Sequence, residues 1–484
     1  MQPDWEAVIG LEVHVQLRTR SKMFCSCANA YGAEPNTLTC PVCLGLPGAL
    51  PVLNGEAVRQ AVAFGLAVGG RIQPCSAFFR KQYFYPDLPK GYQITQGPVA
   101  VVEEGSLEIP GDPRVRGGEG SVVVRLERAH LEEDAGKSTH GGPSGTLVDL
   151  NRAGVPLLEI VGAPDLRSPQ EASDYLKALH HLVSYLELCD GNLEEGSFRC
   201  DANISLRPSG TIAYGTRVEI KNLNSFRFVR QALEHEVARQ SELLEAGQVV
   251  AQETRGFDAA TGVTRAQRSK EGAHDYRYFP EPDLPDLVIT AAEVEAVKQG
   301  LPELPWDRAR RFQASHRLSE YEAGMLVQTR AFADFFEAVV AAGAPGKAAA
   351  NWMLGEVSRL LNERGVPLQS LGLAPELLGE LVRLTAEGAI NLNTAREGVL
   401  PRVLAGEGRP SDIIRAQGLA QVSDLGAVQA LVAQVLTNHP SQVAELRGGN
   451  ERLRGFLVGQ VMKAGGGKVN PRLIQEALEA ALRG

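Results

Sequence analysis

Val8-Ile9-Gly10-Leu11-Glu12-Val13-His14-Val15-Gln16-Leu17 alternates apolar and polar side chains from Ile9 onward. Successive side chains of a strand point to opposite faces. Ile9, Leu11, Val13, Val15 and Leu17 therefore share one face, and Glu12, His14 and Gln16 the other. The stretch predicts a strand with one buried and one polar face. Residues 198–206 repeat the pattern, with Phe198, Cys200, Ala202, Ile204 and Leu206 set against Arg199, Asp201, Asn203 and Ser205. Arg217, Glu219 and Lys221 alternate with Val218 and Ile220 in the same way. Strands solvated on one face belong to antiparallel sheets.

Two helices interrupt these strands. Ser168-Pro169-Gln170-Glu171 reads as a capping box with proline at the first helical position, followed by the apolar stripe Tyr175, Leu176, Leu179, Leu182, Val183 and Leu186. A second helix opens near Ser225, runs through Phe226, Val229, Leu233 and Val237, and stops near Gly247. The first part of the chain, 1–290, is thus expected to be an α+β domain with a largely antiparallel sheet. From 291 to 405 the pattern turns helical, as in Ala331-Phe332-Ala333-Asp334-Phe335-Phe336 and Asn351-Trp352-Met353-Leu354. Residues 406–410 read as a linker, and 406–484 as a small helical tail whose last two helices meet at residues 465–471.

With 484 residues the chain exceeds one ordinary core, and two to four domains are expected. It is 44% hydrophobic and 22% charged, which suits a globular protein. No run of 18 apolar residues suggests a membrane span, and the first residues do not resemble a secretory signal, so the cytoplasm is the expected location. The net charge of -9 argues against a uniformly basic nucleic-acid binder, yet leaves room for local basic patches.

Four of the seven cysteines, Cys25, Cys27, Cys40 and Cys43, fall within nineteen residues as C-x-C and C-P-V-C. That density in a reducing compartment suits a closed, structural tetrahedral zinc site, although C-x-C is one residue shorter than the usual knuckle. A small core of reduced thiols is the alternative. Among the acids, Glu12 and His14 share a strand face, Glu132, Glu133 and Asp134 end the strand 122–131, and Glu159 sits inside Pro156-Leu157-Leu158-Glu159-Ile160-Val161. Together these could hold Mg²⁺ through hard oxygen ligands. Taken alone, the same residues read more simply as the solvated face of an antiparallel sheet. Glu159 fits that reading least, because a lone carboxylate in an apolar run requires a partner.

Ala135-Gly136-Lys137-Ser138 ends like a phosphate-binding loop, but Leu131 stands where its first glycine belongs, and acids fill the loop. We read it as an accidental match. Residues 80–93 (RKQYFYPDLPKGYQ) interleave cations with aromatic rings and prolines, as do residues 274–283 (HDYRYFPEPD). Such a loop contacts phosphate or stacks on a base, or is an ordinary aromatic turn.

At these residues the chain resembles the B subunit of aspartyl/glutamyl-tRNA amidotransferases. The resemblance runs through residues 9–17, 83–90, 130–138, 198–205 and 275–283 in order, more loosely through Ala350-Asn351-Trp352-Met353, and in the tail through Val461-Met462-Lys463 and Asn470-Pro471. It implies a cradle domain, a helical domain and a mobile tail. It further implies use of Mg²⁺ and ATP to phosphorylate the side-chain carboxylate of a residue charged on tRNA. Ammonia then displaces the phosphate, supplied by an amidase A subunit in a heterotrimer with a small C subunit. By motif match the metal and phosphate site maps to Glu12, His14, Glu132 and Glu159, with Glu133 and Lys90 beside it. Nucleotide contacts map to Lys81, Asp201, Asn203 and Ser205, and zinc to the four cysteines. Gly162-Ala163 stands where the family commonly carries Ser-Glu.

A zinc-containing tRNA-binding scaffold without chemistry of its own is the competing reading. It accounts for the cysteines and the tail but leaves Glu159 unexplained. Residues 440–484 carry seven cations and four acids, an excess of +3 that is consistent with tRNA contact or with an ordinary helical cap.

Overall fold

The computed structural model describes residues 5–142, 145–269, 276–421, 425–466, 469 and 471–483. The chain divides into two compact units, Met1–Leu304 and Pro305–Gly484.

The first unit is built on one sheet. Its main strands are β1 (Trp5–Gln16), β2 (Phe78–Gln82), β3 (Tyr92–Gln96), β4 (Ser121–Glu133), β5 (Pro156–Gly162), β6 (Phe198–Pro208), β7 (Val218–Leu223), β8 (Glu253–Asp258), β9 (Val263–Ser269) and β10 (Phe279–Pro280). Their order across the sheet is β9-β8-β7-β6-β1-β5-β4-β3-β2-β10. Along this path every pair is antiparallel except β7 with β8, which is parallel. The fold class expected from the alternation is therefore present, an α+β sheet unit followed by helices.

β1 lies at the centre because its alternation satisfies two neighbours at once. It pairs with β6 from Trp5↔Pro208 to Val15↔Phe198, and with β5 from Glu12↔Val161 to Gln16↔Leu157. Ile9, Leu11, Val13 and Val15 are buried. Slipping the register by one residue would expose these four side chains and bury Glu12 and His14 in their place, so the pairing is strongly specified. Helices α1 (Pro169–Tyr185) and α2 (Phe226–Glu245) pack on each other, the first touching β1 and the second β6. They close the apolar side and leave the other face of the sheet to its polar residues.

Several local expectations change. β4 runs on to Glu133 instead of stopping at Leu131. Only half of the capping box at α1 forms. The Ser168 hydroxyl accepts from the Glu171 N–H at 3.2 Å, but the Glu171 carboxylate does not return to Ser168. It is buried instead against Arg116 and the N–H groups of Asp112 and Arg167, because a charge-assisted pair outcompetes a cap. Two complete boxes occur where none was expected, Thr290 with Glu293 and Ser319 with Glu322. The helix Ala291–Gly300 packs on Gly55–Ala67 and so belongs to the first unit.

The second unit is helical. Residues 331–336 lie in the helix Arg330–Ala341. Asn351 and Trp352 end the helix Gly346–Trp352, after which Met353–Val357 widens into a π-turn before Ser358–Arg364. Residues 406–410 are not a free linker. Arg409 pairs with Glu380 at 2.9 Å, and Pro410 opens a helix, Pro410–Ala416, that buries Ile413 and Ile414 and packs on Pro375–Ala386. The last four helices, Leu425–Asn438, Pro440–Arg447, Arg452–Ala464 and Pro471–Arg483, share a core that includes Val428, Val432, Leu457, Val461, Ile474 and Leu478. The expected stop and restart falls between Ala464 and Pro471, with Gly466 at φ +61°. Lys468 and Asn470 lie outside the described residues. No helix among the described residues is long and apolar enough to cross a membrane.

Candidate active site and metal centres

Three adjacent strands bring the acids together. β5 lies between β1 and β4, and the registers His14↔Glu159 and Glu159↔His130 align three side chains in one row across the sheet. Glu12 is two residues from His14 on β1, and Glu132 two residues from His130 on β4, so all five side chains share the polar face. The result is two mirrored pairs, Glu-x-His on β1 and His-x-Glu on β4, flanking Glu159.

Glu159 Oε2 lies 3.4 Å from both His14 Nε2 and His130 Nε2. His14 Nε2 is 3.8 Å from Glu12 and from Glu132, and His130 Nε2 is 3.8 Å from Glu132. Cis ligands of Mg²⁺ at about 2.1 Å stand roughly 3.0 Å apart, so small side-chain rotations would close this cluster on a cation. Two ligand triplets meet the geometry, Glu12–His14–Glu159 and His130–Glu132–Glu159.

The electrostatics favour an added positive charge. Burial works against the imidazolium of His130, but its hydrogen bonds with Glu132 and Glu159 prevail and push it up to about 9. His14 is raised in the same way, burial being outweighed by Glu159. Glu159 is held well below the usual carboxylate range: burial opposes this, and the His130 and His14 contacts overcome it. Burial and the charge of Glu159 raise Glu12. Glu132 and Glu159 thus draw protons onto the two imidazoles, and a divalent ion would displace those protons.

A cavity of about 290 Å³ opens beside the cluster, lined by His14, Lys81, Glu132, Arg199, Asp201 and Lys221 among others. Most of its cations are already engaged. Arg199 bonds the buried Asp134 at 2.8 Å, and Lys221 bonds Asp201 at 2.7 Å. The Lys81 ammonium has no ion pair or hydrogen bond among the described residues; the Tyr276 ring lies 5.1 Å away, and against burial the charges of Glu132 and Glu159 help hold it protonated. Asn203 and Ser205 line a neighbouring cavity of about 420 Å³ that also reaches Glu12.

Glu133 and Lys90 stand apart from this group. Because β4 continues through Glu133, that side chain points away from Glu132, accepts from the Ile94 N–H at 2.9 Å and pairs with Lys90. The pair lines a third cavity together with Cys25 and Cys43. The Gly136-Lys137 stretch opens the strand Lys137–Gly142 of a hairpin with Gly145–Asp149, where a phosphate-binding loop would open a helix. Of the second aromatic stretch, His274 and Asp275 lie outside the described residues.

The sulfurs of Cys25, Cys27, Cys40 and Cys43 all lie within 4.8 Å of one another. Tetrahedral zinc with bonds of about 2.3 Å sets sulfurs roughly 3.8 Å apart, and Cys40 and Cys43 are separated by 3.9 Å. Lys22 is fully buried beside them, its Nζ 2.7 Å from the Leu38 carbonyl and 3.9 Å from Cys43 Sγ. The four thiols fit a structural metal.

The GatB/GatE catalytic domain family matches residues 7–295, which span the sheet and both clusters, and the GatB domain family matches residues 334–482. The chain belongs to the GatB family. It is 54% identical over 482 residues to the B subunit of the aspartyl/glutamyl-tRNA(Asn/Gln) amidotransferase of Halorhodospira halophila, covering 99% of each chain. It is 51% identical to the B subunit of the same enzyme in Geobacter sulfurreducens, with 99% of this chain and 100% of that one covered. The corresponding protein of Thermodesulfovibrio yellowstonii is 49% identical, with 99% of each covered. In this GatB-family chain the residue that sequence reasoning missed is His130. The available signal was its spacing of two from Glu132, the reverse of Glu12 and His14.

Proposed function

We propose that this chain uses ATP and Mg²⁺ to activate the side-chain carboxylate of glutamate on tRNA(Gln), of aspartate on tRNA(Asn), or of both, and amidates it with ammonia from a partner. The observation that carries the reading is the convergence of Glu12–His14 and His130–Glu132 on Glu159, beside the ammonium of Lys81, which has no ion pair among the described residues. Paired carboxylates around a cation are what phosphoryl transfer needs, since the work is positioning and charge neutralisation.

A carboxylate oxygen of the charged residue forms a bond to the γ-phosphorus, and the bond to the leaving ADP breaks. The ammonia lone pair then attacks the acyl carbon, phosphate leaves with its electron pair, and nitrogen loses a proton to solvent. Mg²⁺, when bound, neutralises phosphate charge. Glu12, His14, Glu132 and Glu159 would hold it, joined by His130. Lys81 faces the transferring phosphoryl oxygens. Asp201, Asn203 and Ser205 lie on the nucleotide side, and the Lys90–Glu133 pair supports the site from the cysteine side. The four cysteines hold a structural zinc that shapes their loop.

The relatives are named as B subunits, so other subunits exist in their enzymes. We assign glutamine hydrolysis to an amidase A subunit, with a small C subunit completing a heterotrimer, and place the complex in the cytoplasm. The last four helices are assigned to tRNA contact. The test is ATP hydrolysis by the complete enzyme with charged tRNA. Mg²⁺-dependent hydrolysis stimulated by charged tRNA and coupled to amide formation is expected. Hydrolysis indifferent to charged tRNA would favour a scaffold without chemistry of its own.

A further inference from the structure

At the rim of the cavity four tyrosines form a continuous ladder. The rings of Tyr85 and Tyr83 are 5.9 Å apart, those of Tyr83 and Tyr276 6.2 Å, and those of Tyr276 and Tyr278 5.9 Å, each edge to face. Tyr83 lines the cavity that holds His14, Lys81 and Glu132, whereas the ends of the ladder face solvent. Tyr85 is 55% exposed, Tyr278 53%, and Phe84, beside Tyr85, 85%. Large rings left this open at the mouth of a polar site indicate a surface kept for a ligand.

The ladder is held in place before anything binds. The Tyr83 N–H donates to the Gly91 carbonyl, the Leu88 N–H to the Tyr85 carbonyl, and the Gly91 N–H to the Leu88 carbonyl. Gly91 takes φ +75°, and Pro86 and Pro89 stiffen the turn. The Gln82 N–H bonds the Tyr276 carbonyl at 2.9 Å and ties the two aromatic segments together. Prepositioned rings lose little entropy when a ligand stacks on them. Charge selects the ligand. Arg80 is engaged with Glu281 and Asp283, and Lys90 with Glu133. Among the described residues the Lys81 ammonium has no ion pair; the Tyr276 ring lies 5.1 Å away and the charges of Glu132 and Glu159 act on it from further off, so it can still meet an anion. Open aromatic faces beside a spare cation match unpaired nucleotides, which stack their bases on rings and present phosphate alongside.

We infer that the ladder Tyr85–Tyr83–Tyr276–Tyr278 receives the single-stranded 3′ end of the tRNA by base stacking and so leads the attached amino acid to Glu159 and Lys81. The inference rests on the activity proposed above, but binding tests it without ATP or amide formation. Affinity of the complete enzyme is measured for uncharged tRNA with its 3′ end intact and for the same tRNA shortened by its unpaired terminal nucleotides. The wild type should lose roughly tenfold or more on shortening, as expected for one or more stacked bases. Tyr85→Leu combined with Tyr278→Leu should remove most of that difference, while Tyr85→Trp with Tyr278→Phe should keep it, because a ring and not a hydroxyl is required. Both positions are exposed, so the substitutions leave the core untouched. Equal sensitivity to shortening in wild type and the leucine variant would overturn the inference. So would failure of the leucine variant to assemble with its partner subunits, which would assign the rings to a protein interface.

Discussion

Glu159→Gln keeps the shape of the side chain and removes one charge from the middle of the row. Two imidazole nitrogens stand 3.4 Å from that carboxylate. At an effective dielectric of 20, a unit pair at this distance is worth about 5 kcal/mol before solvation is counted. In the variant the imidazoles would shed their protons and recover part of that loss. A bound dication has no such escape. Losing one of its anionic ligands weakens both its retention and its neutralisation of the transferring phosphoryl group. Taking about 4 kcal/mol as the net barrier increase, turnover should fall roughly a thousandfold. The assay is amide formation on charged tRNA by the complete enzyme at saturating ATP and Mg²⁺, with glutamine hydrolysis followed in parallel. The basal glutaminase should persist, because the amidase chemistry is assigned to another chain. Amidation within tenfold of wild type would refute the placement of Glu159 at the reacting centre.

Metal analysis of chelator-free protein should find about one zinc per chain, and no zinc with four freely titratable thiols would contradict the cysteine site. Lys22→Met should weaken zinc retention by about tenfold or more in a competition titration, since it removes a fully buried ammonium beside Cys43; unchanged retention would make Lys22 a packing residue only. Deleting residues 425–484 should raise the KM for tRNA and flatten its salt dependence while leaving glutamine hydrolysis intact; an unchanged salt slope would make these helices a cap. Leu11→Ala, on the buried face of β1, should destabilise the first unit by about 2–5 kcal/mol in denaturant unfolding, and a loss below about 1 kcal/mol would contradict the central place of that strand.

The alternation of Glu12 and His14 was legible because a strand has a period of two and its apolar residues mark the buried face. Glu159 announced itself as the one charge in an apolar run. Their meeting was not legible, since antiparallel pairing of strands more than a hundred residues apart leaves no trace in one sequence. His130 was hidden for a related reason. With β4 taken to end at Leu131, Glu132, Glu133 and Asp134 looked like one acidic cluster, and continuing the strand separates them by face. Glu132 then joins the row with His130, while Glu133 turns to Lys90 and the cysteine loop. Gly406 to Pro410 looked like a linker because glycine and proline break helices. The partner that anchors it, Glu380, lies about thirty residues earlier on another helix and could not be seen locally. The π-turn at Met353–Val357 has no compositional mark, and its Glu356 is held by Arg396 from a distant segment.

The claim that matters most is that a carboxylate oxygen of the charged amino acid attacks phosphorus. It is tested by charging tRNA with glutamate or aspartate carrying ¹⁸O in its side-chain carboxylate, supplying ATP, Mg²⁺ and glutamine to the complete enzyme, and analysing the phosphate released. The account predicts one labelled oxygen in the phosphate for each amide formed, and loss of both products in Glu159→Gln. Amide formation with unlabelled phosphate would contradict it.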